Sequence, residues 1–303
     1  MSVLKCHFTE RWPLSGRENL LSYSARKYVR FWQSMFDESE KLEYTRGEPK
    51  CRLAGDFADP CLELILDNNL VRQAPTELVL AAARDGLDLL CAHYHLAMNP
   101  GELHIYSIRE GVYRSVGDSR LGAATMQTWL THVCMTLAFR DFDALGLMCE
   151  FGAPQLNMAG AKPDRFDFAL VELVKGAFRP GSDLPKLVEG LTLAAAPDNI
   201  EPPRRRYVYN LYLPFADTLI AILDGDQTHY ERAFIAGIEA HYDHYNVEEP
   251  ELNHGMAFFI TAAASLAYDQ HEWECPETPY VPQWIVKKAF TLPMTGAPLP
   301  VLD

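Results

Sequence analysis

From residue 119 onward, apolar side chains recur at helical spacing in segments that come two at a time, and this pairing constrains the fold more than any other feature of the chain. "RLGAATMQTWLTHVCMTLAF" is followed at once by "DFDALGLMCEF", and "DRFDFALVELVKGAF" by "DLPKLVEGLTLA". "RRRYVYNLYLPFADTLIAIL" leads into "DQTHYERAFIAGIEAHYDHY", and "HGMAFFITAAASLAYD" into "YVPQWIVKKAF". The pairs start near residues 121, 165, 204 and 254. A spacing of about 40–50 residues is that of stacked helix pairs, although the pairs share no sequence self-similarity. A helix with one apolar stripe must bury it on a neighbour, and short links make such neighbours antiparallel. The breakers "RPGSD", "APDNIEPP", "DGD" and "EEPE" fall between elements. The expected fold is therefore all-α: antiparallel helix pairs, solenoid-like or bundled.

The first hundred residues also read as helix. Leu20, Tyr23, Ala25, Tyr28, Phe31, Trp32, Met35 and Phe36 keep helical spacing. Pro75, Thr76 and Glu77 resemble a helix start, and Asn99, Pro100 and Gly101 stop the run that ends at Met98. "ELHIYSIREGVYRSVG" is β-branched and aromatic, broken by "REG", and predicts a hairpin near residues 103–116; its two sides read as about equally polar, so it is expected on the surface of the helical body. The expectation is one domain over 1–303: N-terminal helices over 1–100, a hairpin over 101–118, helix pairs over 119–290 and an extended Pro-rich tail over 291–303.

A formal charge of −14 argues against direct binding to nucleic acid or to an anionic membrane, because both would repel the chain. The seven cysteines (Cys6, Cys51, Cys61, Cys91, Cys134, Cys149 and Cys275) are odd in number and scattered, as in a reduced cytoplasmic protein. "MSVLKCHFTERWPLSG" has no apolar core of a secretory signal, and "GMAFFITAAASLAY" is too short to span a bilayer.

The common catalytic, phosphate-loop, dinucleotide and zinc patterns are absent, so no catalytic residue, cofactor or metal is expected. Ser119 in "GDSRLG" reads as the cap of the next helix, and Asp226 in "DGDQ" as the cap of another. The stretch "ERAFIAGIEAHYDHYNVEEPELNH" concentrates histidines and acids. On a helix, Tyr230, Phe234, Ile238, His241 and Tyr245 share one stripe, which places His241 in the apolar face and His244 at its edge. His244, as an imidazolium, suits the negative end of the helix. Glu239 and Asp243 point to solvent, away from both histidines, which weighs against a metal-dependent hydrolase. Arg204, Arg205 and Arg206 form a basic run that a phosphate could occupy. The better reading is a solvated helix start that, on so acidic a body, finds internal carboxylates.

Three features resemble the immunity protein 49 family of bacterial polymorphic toxin systems, over roughly Leu121 to Phe290. They are the Arg140–Asp141 step between helices, the "FADTLIAILDGDQTHYERAFIAGIEAHYDHY" helix pair, and the "LAYD" helix end followed by "YVPQWIV". The resemblance implies an all-helical, non-enzymatic cytoplasmic protein that binds and blocks the active domain of a cognate toxin. Charge adds that the partner is basic, as a nuclease with a phosphate-binding cleft would be. Glu239, Asp243, Glu248, Glu249 and Glu251 form the densest acidic cluster near a helix end and are the candidate toxin-binding residues. The rival reading is a scaffold of tetratricopeptide type, which would carry a continuous groove along its helix pairs.

Overall fold

A computed structural model describes residues 23–30, 32, 60–69, 74–109, 111–117, 125–152, 156, 163–245 and 255–295. Helix α1 covers 23–30 and α2 covers 60–69. Helix α3, Glu77–Met98, starts where its local chemistry dictates: the Thr76 hydroxyl accepts from Val79 N–H, and Asn99 closes the far end. Strands β1 (Leu103–Ile108) and β2 (Gly111–Val116) form the expected hairpin, with Leu103 opposite Val116 and Ile108 opposite Gly111.

The pairs follow. Helix α4 (Met126–Phe139) turns through Arg140 and Asp141 into α5 (Phe142–Glu150). Helices α6 (Arg165–Phe178) and α7 (Leu184–Ala194) form the second pair, and α8 (Leu213–Asp224) and α9 (Gln227–Tyr245) the third. Helix α10 (Phe258–His271) lies against α4 and is followed by the single turn α11 (Gln283–Val286). The described residues are thus mostly helical, with one small antiparallel hairpin. Gly225, at φ +68°, ends α8 in the left-handed conformation. The Asp226 carboxylate then accepts from His229 N–H at 2.9 Å, as the sequence predicts.

Ser119 lies outside the described residues. The helix expected to follow it starts later, at Met126, because the Thr125 hydroxyl accepts from Thr128 N–H. The tail expected to be extended has no regular structure over 291–294, and 296–303 lie outside the described residues.

One contiguous apolar cluster runs from Tyr28 on α1 to Val286 on α11. Polar ties cross it. The Trp129 indole donates to Met148 O at 3.1 Å, joining α4 to α5. Asn69 donates to Gly255 O at 2.9 Å, joining α2 to the segment before α10. Arg84 on α3 pairs with Asp88 at 2.7 Å and with Asp141, the α5 cap, at 2.9 Å.

His132 is buried within α4, its Nδ1 lying 3.0 Å from the Tyr94 hydroxyl. Burial, then the neighbouring His93, pushes its pKa down to about 3. The folded protein therefore keeps His132 neutral, whereas the unfolded chain takes up a proton near the ordinary histidine value of about 6.5. Below that value the unfolded state binds the extra proton, so stability falls toward pH 3 by about 1.4 kcal/mol per unit. Between about pH 7 and about pH 5 the wild type is expected to lose about 2 kcal/mol more than His132→Gln in denaturant titrations. Equal losses in the two proteins would contradict a neutral buried His132.

Candidate functional site

The Arg140 side chain is 2% exposed although it carries a full charge. Its backbone, at φ 57°, closes α4 in the left-handed conformation, which a residue with a Cβ rarely adopts. The guanidinium grips Asp269 near the end of α10, with Nε donating at 2.9 Å and Nη2 at 3.2 Å. It also donates to the carbonyls of Ile285 and of Val286, the latter at 2.6 Å, and so caps α11. Its neighbour Asp141 caps α5 and holds Arg84. Two of the three features that carry the resemblance, far apart in sequence, therefore meet at one buried arginine. A family model described as Immunity protein 49 matches residues 70–285.

The chain belongs to the immunity protein 49 family.

The match reaches further back than residue 121, where the resemblance in the motifs began, and takes in α3 and the hairpin. No curated protein and no solved structure matches the chain.

In this immunity protein 49 family member, the candidate site lies at the C-terminal end of α9. Asp243 is exposed there, and Glu239, one turn earlier on the same stripe, is half-buried rather than fully in solvent. Glu248, Glu249 and Glu251 lie outside the described residues. His241 and His244 are both buried on the inner side, as the helical stripe places His241. Their rings pack on Tyr245, with centroids 4.8 and 4.7 Å away. The expected imidazolium at His244 is a correction. Burial, then Arg206, lowers its pKa and favours the neutral ring. The cation at this helix end is Arg206, whose guanidinium donates to His244 O. Among the described residues no group of three or more His, Cys, Asp and Glu side chains is placed to hold a metal ion.

The other two basic residues are also engaged internally. Arg204 bridges Asp164 and Asp167, with Nη1 donating at 2.6 and 2.7 Å. Those carboxylates form the capping box of α6. Arg205 donates to Pro197 O at 2.9 Å and to Ile200 O at 3.2 Å. Of the three, Arg204 finds the internal carboxylates expected of this run, whereas Arg205 and Arg206 donate to backbone carbonyls.

Sequence reasoning missed the cleft beside this site. Residues Val208–Tyr212 form a π-helical turn, with Leu213 N–H reaching back to Val208 O. Its cause is Pro214, which has no N–H and whose ring crowds the carbonyl four residues earlier, so the preceding turn widens. Tyr207 and Tyr212 at this turn wall two adjoining cavities, of about 400 Å³ and about 100 Å³, which also share Gln127. His241 and Tyr245 line the smaller one. Burial pushes the Tyr212 phenol up, so it stays protonated and serves as an aromatic wall rather than as a base. Single-turn π distortions of this kind recur at functional sites. A proline after a helical run of aromatics was the signal in the sequence.

Proposed function

We propose that this protein neutralises a cognate toxin in the cytoplasm by binding its active domain, without catalysis of its own. The observation that carries the reading is the family match over 70–285. The toxin that fits an inhibitor of charge −14 is a nuclease, whose substrate cleft must be basic. Negative charge then steers the encounter, while buried contacts set the lifetime of the complex. Glu239 and Asp243, with Glu248, Glu249 and Glu251 beyond them, are the steering cluster. Asp243 is exposed on α9, and an exposed charge of this kind suits the polar rim of a protein interface.

The test is association kinetics with the toxin domain encoded beside the gene. Reversing Asp243, Glu248, Glu249 and Glu251 to lysine is expected to lower kon by about tenfold at low salt and to flatten its salt dependence, with koff little changed. A reversed protein with wild-type kinetics at low salt would remove this cluster from the interface.

A further inference from the structure

The hairpin is patterned the wrong way round for a surface facing water. On an antiparallel sheet with one free face, polar side chains alternate outward and apolar ones inward. Here Leu103 is 63% exposed, Ile105 62%, Val112 67% and Val116 54%. The register places Leu103 directly opposite Val116, so these four side chains share the outward face with Ser107 and Arg114. The inward face carries Ile108 and Ser115, both buried, and the half-buried His104 and Tyr106. The hairpin is also firmly placed. Arg109 in its turn is buried, pairs with Asp85 of α3, and lies 5.7 Å over the Tyr28 ring and 5.1 Å over that of Trp32. The outward face is therefore a fixed apolar patch, of a kind that marks interaction sites.

The sheet has only two strands among the described residues, and β1 is the one packed on α3. In an antiparallel pair only alternate residues bond across the ladder, so β2 presents N–H and C=O groups along its far edge. An edge like this accepts an extended strand, whose alternate side chains would continue the apolar face.

We infer that the outward face and free edge of β2 form a docking site for a strand of the cognate toxin. That strand would carry large apolar side chains on one face and a carboxylate beside Arg114. The inference rests on the toxin-binding reading above and adds to it the surface that holds the complex together. Charge decides against a second copy of this chain. Antiparallel pairing of two β2 edges brings both Arg114 side chains onto one sheet face, and each chain carries −14 overall. The toxin strand meets neither obstacle.

The test uses the full chain and the toxin domain encoded beside its gene. The double variant Ile105→Asp/Val112→Asp changes only exposed positions, so it is expected to keep the wild-type circular dichroism and Tm. Its koff is expected to rise at least tenfold while kon changes little, the opposite of the acidic-cluster variant. Amide exchange over 111–117 is expected to slow in the wild-type complex. A wild type that fails to bind the domain overturns the toxin-binding reading and this inference with it. Normal wild-type binding with an unchanged koff in the double variant, or with no slowing over 111–117, overturns the inference alone. So does a wild type that sediments as a dimer and becomes monomeric in the double variant, because the face would then join two copies.

Discussion

Arg140→Met is expected to lower the unfolding free energy by about 3 kcal/mol, the low end of the scale for removing one partner of a buried ion pair, because the guanidinium is buried and Asp269 only partly so. The change leaves Asp269 without its bidentate partner and the carbonyls of Ile285 and Val286 without their donors. Each orphaned acceptor adds its own desolvation cost. Arg140→Lys keeps the charge but loses the planar fork that reaches α10 and α11 together, so it is also expected to destabilise. Arg140→Gly separates side chain from backbone. Glycine adopts φ 57° freely, so this variant is expected to be more stable than Arg140→Met by about 1 kcal/mol while remaining well below wild type. Denaturant titration of the three variants checks the order. A methionine variant within about 1 kcal/mol of wild type would show that Arg140 does not hold α4, α10 and α11 together.

How much of this was legible in the sequence depended on the range of the interaction. Thr76 and Asn99 bound α3 as read, and Asp226 caps α9, because caps act over three or four residues. His241 packs inward because the helical period fixes the face it occupies. The start of α4 was misplaced because Ser119 and Thr125 both have capping chemistry, and only the structure shows which hydroxyl receives the N–H. The hairpin was legible as two short β-branched and aromatic runs broken by "REG". Its two sides read as about equally polar, whereas the structure gathers Leu103, Ile105, Val112 and Val116 on the face turned away from the helices. The hold of Arg140 on Asp269 and Ile285 spans more than a hundred residues of chain, and no local pattern encodes it. The arginine was singled out only through the family resemblance. The π-turn follows from Pro214, whose effect was readable as a break but not as the widening that opens a cleft.

The measurement that bears most directly on the central claim is whether this protein neutralises a toxin domain encoded by a neighbouring gene, as the proposed function expects. Induced alone in cells, that domain should arrest growth. Co-expressed with this protein, growth should be restored, and the two chains should co-purify with a Kd of about 1 nM or tighter. Continued growth arrest in the presence of soluble, folded protein would contradict the account. So would rescue without any complex between the two chains.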